Sequence, residues 1–145
     1  MSQSIKITVD AVVFGYESGV ISVLLIKRKY EPYKGKWAIP GGFVLDDESL
    51  EEAVQRELVE ETGVKINYLE QLYTFGKPNR DPRGRVISVA YVGLVRPNTF
   101  KIFASTDAEE VEWFTINELP ELSFDHKEIL NIAIERLQGK ITYEP

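Results

Sequence analysis

The segment Ser49–Thr62 constrains this chain more than any other, because it reads as a helix whose core-facing side carries carboxylates. Ser49 followed by Glu52 is an S-x-x-E capping pattern, and Gly63 supplies a left-handed stop. Wound at about 100° per residue, the segment gathers Leu50, Ala53, Val54 and Leu58 on one side. Glu57 and Glu61 fall inside that stripe, Glu60 lies on its flank, and Glu51, Glu52 and Gln55 point away. Two carboxylates one turn apart on a dry face repel each other and lose hydration. A divalent cation is the simplest compensation. The competing reading is an ordinary solvated acidic face, since short helices tolerate drift in their stripe. Against it stand the apolar side, the i, i+4 register and the preceding Gly41–Gly42, which lets main chain approach a ligand and aim carbonyl oxygens at a cation.

Composition restricts what such a cation could be. The 145 residues contain no cysteine and one histidine, His126. That removes disulfides, thiolate nucleophiles and multi-histidine zinc or iron sites, leaving oxygen ligands and hence magnesium, manganese or calcium. Basic residues number 17 against 23 acidic ones, a formal charge of -6, which argues against a general nucleic-acid binder. No apolar run approaches the roughly 18 residues of a membrane span. Met1–Asp10 lacks the pattern of a secretory signal. The expectation is therefore one domain over residues 1–145, cytoplasmic and without a membrane partner.

Along the chain, Ile5–Phe14 and Val20–Ile26 read as a hairpin joined through Gly15–Gly19. Trp37–Val44, broken by Pro40, Gly41 and Gly42, reads as a short strand entering a loop. Val64–Phe75, Val86–Val95 and Val111–Phe114 follow as strands, with a polar loop at Lys77–Arg85. A last helix is expected from Asp125, capped by Asp125 with Glu128, stapled by Phe124 onto Ile129, and apolar along Ile129, Leu130, Ala133, Ile134 and Leu137. Two helices far apart among many strands give an α/β layered domain with a mixed sheet.

Gly42, Glu48, Arg56-Glu57-Leu58, Glu60-Glu61, Gly63 and Val64 occupy every fixed position of the pattern G-x5-E-x7-R-E-U-x-E-E-x-G-U. On those residues the chain resembles the Nudix hydrolases, which split nucleoside diphosphates linked to another group. The resemblance implies an α/β/α sandwich with a central mixed β-sheet and dependence on magnesium, with manganese as an alternative. It implies Glu57, Glu60 and Glu61 as metal ligands, with a main-chain carbonyl at Gly41 or Gly42. Glu48 and Arg56 would pair to hold the loop against the helix; read without the family, they are a surface ion pair. The general base varies among such enzymes. Glu57 is one candidate, and the loop Ala104–Glu110 offers Asp107 first and Glu109 next, unless that loop is merely solvated.

Substrate preference rests on the polar loop. Lys77, Arg80, Arg83 and Arg85 crowd one stretch of an acidic chain, and guanidinium forks match phosphate and ribose oxygens. On charge alone this is a polar hairpin loop. Yet Arg80-Asp81-Pro82-Arg83-Gly84 resembles ADP-ribose pyrophosphatases and the Nudix domains of regulators of NAD and sugar metabolism. Arg28 and Lys36 are candidates for phosphate contacts or solvated strand-end charges. Trp37, Phe43 and Tyr91 could stack on adenine or belong to the core. His126 could touch substrate, but is expected on the surface of the last helix's first turn. The resemblance thus implies hydrolysis of ADP-ribose to AMP and ribose 5-phosphate, by a homodimer. The alternatives are a ligand-sensing domain of a transcription regulator and a hydrolase of dinucleoside polyphosphates or nucleoside triphosphates.

Overall fold

The computed structural model describes residues 3–104 and 108–143. Seven strands form one mixed sheet: β1 (Ile5–Glu17), β2 (Val20–Arg28), β3 (Trp37–Ala38), β4 (Gly41–Phe43), β5 (Glu70–Phe75), β6 (Arg85–Val95) and β7 (Ala108–Thr115). Among the described residues there are also two helices, α1 (Leu50–Thr62) and α2 (His126–Tyr143), and a 3-10 turn at Pro97–Thr99. The main strand order is β3-β2-β1-β6-β5, with β4 also on β1 and β7 on the outer edge of β2. Among the described strands β1 and β6 are the parallel pair, in register from Ile5 opposite Arg85 to Gly15 opposite Val95.

β1 is the centre, and its sequence says why. From Thr8 to Phe14 every residue is buried, as expected of a strand covered on both faces. Alternate side chains go to opposite layers. Val9, Ala11 and Val13 join Ala53, Val54 and Leu58 of α1, while Val12 and Phe14 join Ile129, Leu130, Ala133 and Leu137 of α2. The expected α/β/α sandwich is therefore realised, with the expected apolar face of α2 turned inward. The hairpin closes later than its glycines suggest: β1 continues to Glu17, and Ser18 and Gly19 turn at φ 51° and 80°, the double left-handed pair of a tight hairpin.

Beyond that hairpin β1 and β2 separate, and the segment Trp37–Phe43 fills the gap. Its first half pairs with β2, Ala38 opposite Ile26, and its second half with β1, Gly42 opposite Val9. Pro40 stands at the crossing, where no N–H is required, and its carbonyl accepts from Ala11 N–H at 2.8 Å. Where a short strand entering a loop was expected there are thus two short strands on different partners.

α1 follows its sequence closely. The Ser49 hydroxyl accepts from Glu52 N–H at 3.0 Å and the Glu52 carboxylate accepts from Ser49 N–H at 2.9 Å, closing the capping box. Gly63 ends the helix at φ 77°. Two expectations fail. Strand pairing starts at Glu70 rather than Val64, because Val64 and Ile66 are spent as buried anchors under α1. Asp125 does not cap α2 with its side chain. Both its oxygens are taken by Arg80, and Phe124 sits at φ 52° with its ring centroid 4.7 Å from that of Tyr33. Replacing Ser49 by alanine removes one half of the α1 box. The expected cost is about 1 kcal/mol, read as a melting temperature about 3 °C lower in a thermal scan.

Candidate active site

Four backbone and side-chain partners converge on Arg56. Its Nε and Nη2 bind the two oxygens of Glu48 at 2.9 and 2.6 Å, and Nη2 also reaches the Phe43 carbonyl at 3.1 Å. Its Nη1 donates to Glu57 at 2.8 Å and to Glu60 at 3.3 Å. One guanidinium therefore ties the loop before α1 and the end of β4 to two helix carboxylates, a planar fork used on every edge. The Arg56 hydrogen bonds hold the Glu48 carboxyl well below its ordinary value, at about 2.

The carboxylates sit where the helical projection places them. Glu57 and Glu61 are 8% and 5% exposed, whereas Glu60 is open to solvent along almost half its side chain. Gly41 N–H donates to Glu61 Oε1 at 2.7 Å. A β-carbon on Gly42 would stand 2.6 Å from the Glu57 carboxylate carbon, and one on Gly41 would stand 2.1 Å from the Val9 carbonyl oxygen. Neither glycine has a positive φ. Both are required by close approach, one to a carboxylate and one to a neighbouring strand. Among the described residues no three acidic or histidine side chains form a preformed metal cage. Asp107 lies outside the described residues. Glu109 and Glu110 are exposed at the start of β7, where Glu110 pairs with Lys27 at 3.2 Å.

Beside β4 lies a pocket lined by Asp10, Arg28, Gly41, Arg83, Phe124 and His126, with Arg80 and Asp81 also in its wall. The loop cations thus divide. Arg80 and Arg83 turn into the pocket, while Lys77 pairs with Glu128 and Arg85 donates to the Gly76 carbonyl. Arg80, with its side chain only 4% exposed, is held by Asp125 at 2.8 and 2.6 Å. Arg83 is held by Asp81 at 3.0 and 2.7 Å, lies 4.6 Å from the Phe43 ring centroid, and lies 5.3 Å from that of Phe124. Burial would raise the Asp81 carboxyl, but the Arg83 bonds outweigh it and keep it below the ordinary value. Arg28 donates to the Pro32 carbonyl at 2.6 Å and lies 5.0 Å from the Phe124 ring centroid. Burial and then Arg83 depress its affinity for its proton.

Lys36 is not part of this pocket; it is exposed and pairs with Glu121 at 3.6 Å. Of the aromatic candidates, Tyr91 is core, 1% exposed, with its hydroxyl donating to Glu51 at 2.6 Å. Trp37 packs edge-on against Phe114 at 4.8 Å. Phe43 lies under Arg83. The expectation of a surface His126 is wrong. It is 5% exposed, and its Nδ1 accepts from Ile39 N–H at 3.0 Å, which fastens α2 to the segment carrying Gly41. Burial lowers its affinity for a proton. Asp10, 6% exposed and bonded by the Ser88 hydroxyl, escaped the sequence reading altogether. The available signal was a carboxylate inside the otherwise apolar run from Val9 to Phe14.

The NUDIX domain model matches residues 5–132, so the chain belongs to the Nudix family. It is 48% identical to an ADP-ribose pyrophosphatase of Methanocaldococcus jannaschii over 108 residues, 74% of this chain and 63% of that protein. It is 38% identical to the ADPR responsive transcriptional repressor NtrR of Acinetobacter baylyi over 142 residues, 94% of this chain and 56% of that protein. The chain therefore spans less than two thirds of either curated relative. Among solved structures, the NUDIX domain of Shewanella oneidensis NrtR complexed with ADP ribose superposes with a TM-score of 0.87 at 37% identity, covering 94% of this chain and 90% of that one.

The Glu48–Arg56 bond has a pH signature. With its folded value at about 2 and its ordinary value at 4.5, Glu48 contributes stability above about pH 4.5, lost as pH falls toward 2. Glu48→Gln should therefore make the acid limb of stability shallower between those limits, measured as urea midpoint against pH. An unchanged limb would show that the bond does not persist in solution.

Proposed function

We propose that the chain is a divalent-cation-dependent hydrolase of nucleoside diphosphates linked to another group, and that ADP-ribose, cleaved to AMP and ribose 5-phosphate, is its substrate. The observation that carries this reading is the near-burial of Glu57 and Glu61 beside Gly41–Gly42, with an arginine-lined pocket whose wall includes the same two glycines. The relative named for ADP-ribose hydrolysis and the neighbour holding ADP-ribose support the choice of substrate.

The residues present fit a hard cation. All candidate donors are oxygens, and two nearly buried carboxylates one helical turn apart are best stabilised by positive charge. Glu57, Glu60, Glu61 and the Gly41 carbonyl would hold magnesium, with manganese as the alternative. Such a cation would screen the pyrophosphate and lower the pKa of water bound to it.

The chain's own groups have the remaining tasks. Arg56 fixes the direction of Glu57 and Glu60, and Gly41 N–H fixes Glu61. Arg28 and Arg83 draw the pyrophosphate toward β4. A carboxylate not engaged by the cation accepts the proton of the attacking water. Water adds to one phosphorus, the bridging P–O bond breaks, and the departing phosphate takes the electron pair. The setting proposed is a cytoplasmic homodimer, and no helix among the described residues is long and apolar enough to cross a membrane.

A sensing role is the second reading, favoured by the alignment to a repressor over 94% of this chain. The two part on turnover. A magnesium-dependent assay should release AMP and ribose 5-phosphate from ADP-ribose faster than it cleaves dinucleoside polyphosphates, sugar nucleotides or triphosphates. Saturable ADP-ribose binding with no turnover would establish the sensor instead. Glu61→Gln should lose on the order of a hundredfold in rate with its circular dichroism unchanged. A near-normal rate would show the metal to be elsewhere.

A further inference from the structure

Among the described residues one buried side-chain polar atom has no hydrogen-bond partner, Gln55 Oε1. A buried acceptor left unpaired is unfavourable enough to call for a reason. The other end of the same amide fixes its orientation, because Gln55 Nε2 donates to the Ile66 carbonyl at 2.7 Å. A flip would set an oxygen against that carbonyl. Gln55 lines a pocket of about 180 Å3 between α1, Tyr68–Leu69 and Tyr91 of β6. Glu51, one turn earlier on the same helix face, lines it as well. That face of α1 is turned away from Glu57 and Glu61, and the pocket shares no residue with the arginine-lined one beside β4.

The tyrosine and glutamine donors around this pocket are committed. Tyr91 donates its hydroxyl to Glu51 at 2.6 Å and accepts from Gln71 Nε2 at 3.2 Å, and the Tyr68 hydroxyl donates to Glu70 at 3.3 Å. Burial, and then Glu51, push the Tyr91 hydroxyl up to about 12, so it remains a donor. Its hydrogen bond holds the Glu51 carboxyl below the ordinary value, and Glu51 is ionised at neutral pH. A carboxylate has about four lone-pair sites, more than one hydroxyl uses. No lysine, arginine or histidine lines the pocket, while Val54, Leu69 and the two tyrosines give it apolar wall. A ligand suited to it brings positive charge, several donors and an apolar body. A divalent cation is poorly matched, since calcium takes six to eight oxygens and this pocket has a single carboxylate. A primary ammonium has three donors, its methylene stem covers apolar surface, and its charge is attracted to aromatic faces.

We infer that this pocket binds a primary alkylammonium group, with Gln55 Oε1 and the Glu51 carboxylate accepting from the ammonium and the stem lying along Val54, Leu69 and the Tyr68 ring. A free aliphatic polyamine and a lysine side chain of another protein present the same chemistry. The site is separate from the hydrolase reading and stands whether or not the chain cleaves a nucleotide.

Calorimetric titration of the full chain with putrescine and with Nα-acetyl-lysine amide tests the assignment, with butane-1,4-diol as the uncharged control. Saturable binding of an amine and none of the diol is expected. Gln55→Met should weaken the amine about tenfold while leaving the charge of the chain unaltered. Glu51→Gln, at an exposed position, should weaken it comparably and decides the matter if the Gln55 variant does not fold. Tighter binding of putrescine would support a free polyamine as the source, and tighter binding of the lysine derivative a protein side chain. No saturable binding of either amine, or equal binding of the diol, would overturn the assignment. So would amine binding unchanged in the folded variants, the result that general attraction to an acidic chain would give.

Discussion

The Arg56 guanidinium is the interaction on which the site depends. Carboxylates at positions 57 and 61 belong, by helical geometry, on the face that α1 buries, and burying like charges is strongly unfavourable. Arg56 meets that cost from one side by binding Glu57 and Glu60 while holding Glu48 and the Phe43 carbonyl. Gly41 N–H meets it from the other through Glu61. Removing the arginine would leave three acids and a loop without their common anchor. The expected consequence is a change in carboxylate direction as well as in stability.

The splayed sheet supplies the second condition. A regular hairpin along the full length of β1 and β2 would have left no place for Trp37–Phe43. Because the strands separate, that segment enters between them, and β4 both meets Glu61 through Gly41 N–H and lines the arginine pocket. Ser123 and His126 hold the segment from the α2 side, through the Trp37 carbonyl and Ile39 N–H. The position of Gly41 and Gly42 is therefore set by both layers of the sandwich.

What was legible in the sequence was local. The capping box, the Gly63 stop and the placement of Glu57 and Glu61 all follow from spacing within one helix, and all are present. Glu48 and Arg56 could be read as an ion pair without the family, but their role in holding the loop against the helix was legible only through the resemblance. What was missed depends on distant pairing. Ser88 reaches Asp10 across 78 positions, through the parallel β1–β6 register, and His126 reaches Ile39 across 87. No periodicity brings such residues together. The loop arginines Arg80 and Arg83 were singled out for their charge, but their aspartate partners could not be assigned before the topology was known.

The central claim is that Glu57 and Glu61, held by Arg56 and the Gly41–Gly42 main chain, form a divalent-cation site in the protein alone. Titration of the chain with Mn2+, followed by electron paramagnetic resonance of the unbound ion, tests this most directly. Saturable binding that is lost in Glu61→Gln and strongly weakened in Arg56→Met, with both variants folded, is the predicted result. Equal binding by the wild-type chain and Glu61→Gln would contradict the account.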